Sequence, residues 1–97
     1  MKKYDLYIGC NVGGKPEHRV EHVKAVCMQA LKTAGFDGAS FTEAAGLWEG
    51  IEEKTVICAI CTDRKREDIF TVASIIREQL RQDSVMVIES EPMIFFI

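Results

Sequence analysis

Residues 38–62 read GASFTEAAGLWEGIEEKTVICAICT, and the architecture turns on whether this stretch is one hairpin or two unrelated segments. Ala39 and Phe41 fall on one side of an extended chain and Ser40 and Thr42 on the other, so residues 38–48 form a strand. Residues 55–62 are rich in β-branched and apolar side chains and form a second. Gly50 and a run of charged residues lie between them, which predicts a hairpin whose loop spans residues 46–55.

Working outward, residues 4–12 (YDLYIGCNV) place Tyr4, Leu6, Ile8 and Cys10 on one strand face. Gly13-Gly14-Lys15 turns the chain, and Pro16 suits a first helical position, where its missing N–H costs nothing. Val20, Val23, Cys27, Ala30, Leu31 and Ala34 recur at spacings of three and four, giving a helix over 16–34 that stops at Gly35. After the hairpin, Asp63 is the expected N-cap of a helix with the stripe Ile69, Val72, Ala73, Ile76 and Leu80, ending near Gln82. Residues 85–88 form a further strand, and Met93–Ile97, after Pro92, a short fifth one. The order β-α-β-β-α-β, with right-handed crossovers, makes an α+β, ferredoxin-like fold: an antiparallel sheet with two helices on one face. At 97 residues the chain is a single domain, 1–97.

Twelve Lys+Arg against 15 Asp+Glu give a net charge of −3, which argues against nucleic acid or an anionic membrane as a partner. No apolar run approaches the roughly 18 residues of a membrane span, and no apolar signal core follows Met1, so the expected location is cytoplasmic. The four cysteines (Cys10, Cys27, Cys58 and Cys61) lie in apolar runs and are expected to be reduced. Cys58 and Cys61 fall on opposite faces of one strand, so they cannot share a metal or close a disulfide.

The strands around 56–61 and 85–88 are apolar in both registers, although helices cover one face alone. A second copy is therefore expected to pack on the bare face and share edge strands, as a homodimer or homotrimer.

Gly9 to Pro16 matches the Gly-x4-Gly-Lys spacing of a phosphate loop between a strand and a helix, but the final Ser/Thr is missing, which excludes nucleotide hydrolysis. What remains is an anion-holding loop of glycine amides and Lys15. His18-x-x-Glu21-His22 puts two imidazoles on one helical face without a third ligand, so no metal is assigned. Trp48 sits between two glycines near the hairpin tip, where a ring can stack on a ligand. The expected site residues are Gly9, Asn11, Gly13, Gly14, Lys15, His18, Arg19, His22 and Trp48. Arg64-Lys65-Arg66 is expected to be a solvated basic knot.

Tyr4, Leu6, Tyr7 and Gly9 in the first strand, with Phe36, Gly38, Thr42, Gly46 and Trp48 further on, resemble an uncharacterised family of small bacterial ferredoxin-like proteins. That family has a Tyr-x-Leu-Tyr/Phe-x-Gly strand and a Phe-x-x-Gly … Gly-x-Trp strand. The resemblance covers roughly the first 60 residues and implies a fold without an activity. The chain departs from it in carrying no export signal and in a threonine shifted by one or two places. In topology alone the element order and long hairpin also resemble the trimeric PII-like proteins, which bind nucleotides at subunit clefts.

No catalytic residue emerges, so the leading expectation is an oligomeric module, without enzymatic activity or cofactor, that binds a small anionic ligand such as a nucleotide between subunits. Two alternatives stand beside it. One is a phage or mobile-element protein that sequesters a host signalling molecule or blocks a host protein. The other is a small dimeric α+β barrel enzyme.

Overall fold

The computed structural model describes residues 1–97. Its elements are β1 (Lys2–Gly9), β2 (Asn11–Val12), β3 (Lys15–Pro16), α1 (Val20–Thr33), β4 (Ser40–Trp48), β5 (Ile51–Thr62), α2 (Arg66–Gln79) and β6 (Met86–Ser90). The long strands form one sheet in the order β4-β5-β1-β6, with every neighbouring pair antiparallel. This is the expected α+β arrangement, with both helices packed on one face.

Alternation decides what is buried. Tyr4, Leu6 and Ile8 pair with Ile60, Cys58 and Val56. All six are buried against Val23, Cys27, Ala30 and Leu31 of α1 and Ile69, Val72 and Ile76 of α2. The other face carries Tyr7, Ile57, Ala59, Met86 and Ile88, of which Met86 and Ile88 are 40% and 42% exposed. As expected, Cys58 is buried while Cys61 faces out. Burial pushes the Cys27 and Cys58 thiols up to about 12, so both are inert core groups.

Five expectations are corrected. The first helix begins at Val20, with Arg19 extended at its N-cap (ψ 148°), and Pro16 belongs to β3. Gly13 and Gly14 have φ of 59° and 78°, so they close the two-residue β2–β3 hairpin instead of leading into a helix. The β4–β5 ladder continues to Trp48↔Ile51 across a turn at Glu49-Gly50, making residues 46–55 paired strand and not loop. Asp63 caps nothing, since the N-cap of α2 is Lys65 without a side-chain bond. Residues 91–97 form no strand in the single chain, and Met93, Phe95, Phe96 and Ile97 are exposed.

The basic knot is also engaged. Arg64 lies 3.9 Å over the Phe36 ring and donates to Ala34 O at 2.8 Å, tying the end of α1 to the start of α2. Arg66 makes a two-pronged contact with Glu89, at 2.8 Å from both Nε and Nη2. That guanidinium, with help from Tyr4 and Lys2, holds the Glu89 carboxyl down to about 2. A carboxylate depressed by folding contributes stability that is complete above its ordinary value and is lost as pH falls through the folded value. Glu89→Gln is therefore expected to flatten the fall of melting temperature from about pH 5 down to about pH 2. Thermal melts across that range check this, and an unchanged acid slope would remove the pair as a contributor.

Candidate functional site

Two hollows flank the β4–β5 hairpin. The larger, about 1020 Å³, is an open trough between the hairpin and the start of α1, touched by Asn11, His18, Arg19, Glu43 and Glu53. The smaller, about 290 Å³, lies at the end of the helix-free face under the β2–β3 turn. Tyr7, Gly9, Asn11, Gly13, Gly14, Trp48, Glu53 and Met86 line it.

The expected site residues therefore divide. Gly9, Gly13, Gly14 and Trp48 gather at the smaller cleft, His18 and Arg19 at the trough, and Asn11 touches both. Lys15 and His22 are exposed and line neither hollow. His18 is engaged structurally, with Nε2 2.8 Å from the Leu80 carbonyl at the end of α2.

The residue missing from the expectation is Glu53, which lines both hollows. Its carboxylate lies across Gly9, where an added Cβ would stand 2.3–2.5 Å from the carboxylate atoms. The Asn11 backbone N–H donates to Glu53 Oε2 at 2.9 Å, fixing the group at the sheet edge. Gly9 is thus required by close approach. The sequence signal available was a strand-terminal glycine beside a glutamate-rich strand, too general to single out Glu53.

The charge around the cleft also differs from expectation. Glu49, Glu53 and Asp83 face a single cation, Arg81, and the trough is similarly acid-rich, with Glu21, Glu43, Glu52 and Glu53 against Arg19 and Lys54. Such linings suit a cationic ligand better than the anionic one the glycine turn suggested. No group of three or more His, Cys, Asp or Glu stands together in a metal-binding set. No helix is long and apolar enough to cross a membrane.

No protein-family model and no curated protein matches the sequence. Solved structures do. A phage SAM lyase in its apo state superposes with a TM-score of 0.72 at 26% identity, over 92% of this chain and 78% of that one. A phage SAM lyase in complex with S-methyl-5′-thioadenosine superposes with a TM-score of 0.72 at 28% identity, over 93% and 80%. These similarities overturn the expectation of a non-enzymatic protein, because the proteins that share this fold at these identities are named as enzymes. They also favour the phage-protein alternative over the nucleotide-binding module.

Proposed function

We propose that this protein is a lyase that cleaves S-adenosylmethionine and releases S-methyl-5′-thioadenosine. The observation that carries the reading is the shared fold across nearly the whole chain with a phage SAM lyase holding that thioether. The acid-lined cleft beside an aromatic side chain supports it, since the substrate is a nucleoside with a sulfonium cation.

The chemistry follows from the two molecules. The thioether keeps the adenosine, the sulfur and the methyl group, so the bond that breaks joins sulfur to the γ-carbon of the amino-acid chain. Sulfur leaves with both bonding electrons and becomes neutral. The route asking least of the protein is internal: the substrate's own carboxylate attacks the γ-carbon and closes a five-membered lactone, with no water and no proton transfer. Holding the chain folded for that attack is the entropic part of catalysis. In this reading Glu53 attracts the cationic portion of the substrate and Trp48 contacts the nucleoside. Incubating the purified protein with S-adenosylmethionine and following the products by mass spectrometry tests it. Thioether with homoserine lactone, formed faster than in buffer alone, is expected; vinylglycine would replace ring closure with elimination, and no excess thioether would overturn the function.

The cleft is open on the single chain, and Met86 at its wall and Ile88 farther along β6 leave apolar surface on the same sheet face. A second copy packed on the helix-free face would cover that surface and wall the cleft, as a dimer or trimer. Ile88→Lys places a charge in this face without touching the core and is expected to shift sedimentation toward a single-copy species. A wild-type protein that sediments as one copy at micromolar concentration would remove the assembly.

A further inference from the structure

Thr55 is buried, with 2% of its surface exposed, and its hydroxyl has no hydrogen-bond partner. A buried hydroxyl left unpaired costs about 1–3 kcal/mol, so its presence calls for a reason. It lies on the helix-free face, paired with Gly9 on one side and Ala44 on the other, two residues along β5 from Glu53. A Cβ built on Gly46 would stand 2.7 Å from Thr55 Oγ1 and 2.6 Å from Trp48 Nε1. The hydroxyl and the indole N–H thus converge over a bare glycine without bonding to each other. Trp48 itself is 38% exposed and ends β4 at a turn where Glu49 has a φ of 51°. It is a large ring near the tip of a hairpin, positioned over a polar niche that any side chain at residue 46 would fill.

The geometry points to Thr55 as the specificity-determining residue of the nucleoside site: the Trp48 indole moves off Gly46 when the nucleoside enters, and the freed Thr55 hydroxyl hydrogen-bonds a polar edge of the ligand. This rests on the lyase reading above and assigns that site a selective contact. It explains both the unpaired hydroxyl and the glycine, because the free protein keeps an unsatisfied group that binding satisfies.

Thr55→Val tests it with two readouts of opposite sign. The substitution keeps the shape and removes the unpaired hydroxyl, so the ligand-free protein is expected to melt at the same or a higher temperature. Affinity for S-methyl-5′-thioadenosine, followed by Trp48 fluorescence and by calorimetry, is expected to fall about tenfold, with KM for S-adenosylmethionine rising similarly. Thr55→Ser, which restores the hydroxyl, should recover most of the affinity. A valine variant that binds the thioether as tightly as wild type overturns the inference while leaving the lyase reading intact. A wild-type protein that neither cleaves S-adenosylmethionine nor responds to the thioether overturns both. An indole spectrum unchanged on saturation with thioether would overturn the movement of Trp48.

Discussion

Glu53→Gln is expected to lower kcat/KM for S-adenosylmethionine by about 100-fold while moving the melting temperature by no more than about 2 °C. The amide keeps an oxygen to accept the Asn11 N–H, now 2.9 Å from Oε2, and keeps the side chain's volume over Gly9. What it removes is the negative charge. A carboxylate about 4 Å from a cation near a protein surface is worth up to about 4 kcal/mol, and a hundredfold loss needs about 2.7. Most of the loss should fall on KM. The sulfonium charge disappears as the carbon–sulfur bond breaks, so the carboxylate attracts the bound substrate at least as strongly as the transition state, and such an interaction raises affinity without raising kcat. Initial rates of thioether release over a range of substrate concentrations separate the two constants. Gly9→Val is the companion variant: it leaves every charge in place but pushes the carboxylate out of position. It should lose comparable activity. A glutamine variant with the wild-type rate at low substrate would take Glu53 out of the site.

How much of this was readable from the chain depends on what each signal encodes. Strand alternation in β1 and the three-and-four spacing of α1 and α2 encode burial, and burial is what the fold enforces; their apolar faces stand where the pattern puts them, while the first strand ends at Gly9 instead of running to residue 12 and both helices start later than expected. The glycine turn is not legible in the chain because Gly-x4-Gly-Lys specifies spacing but not conformation. With both glycines at positive φ the backbone folds on itself, Asn11 meets Pro16, and the helix waits for Val20. Arg19 and Lys65 offer no capping side chain, so neither helix start carried a local mark. Glu52, Glu53 and Lys54 look like loop residues because they are charged, yet they continue a ladder that runs beyond the core, where charge has nothing to exclude it. Arg64 carries a local signal only for its i,i+4 pairing with Asp68, since Ala34 and Phe36 are brought to it by tertiary packing. Glu53 and Thr55 were invisible for the same reason: what singles them out is the bare backbone of Gly9 and Gly46 on neighbouring strands, a cross-strand fact.

Leu6→Ala is expected to cost about 3 kcal/mol of folding stability and to lower the melting temperature by about 15 °C. Leu6 is fully buried at the middle of β1, with Cys58 opposite on β5 and Val87 opposite on β6. Because β1 is flanked by strands on both edges and covered by helices on the face Leu6 joins, its neighbours cannot easily close the space left by truncation. The cost then combines lost burial with an unfilled cavity. For a domain of this length a loss of that size is a large part of a total of roughly 5–15 kcal/mol. Urea melts should show the midpoint falling with an unchanged slope, as the surface exposed on unfolding hardly changes. Leu47→Ala makes the contrast, since Leu47 is 67% exposed near the hairpin tip and should shift the midpoint by only a few tenths of a kcal/mol. β1 also ends in Gly9, the residue over which the Glu53 carboxylate lies. Below its own melting transition the alanine variant should therefore keep its rate per folded molecule and lose that rate together with its near-ultraviolet circular dichroism on heating. Activity that vanished well before the fold would mean that the cleft opens independently of β1, and the strand would no longer be what positions the site.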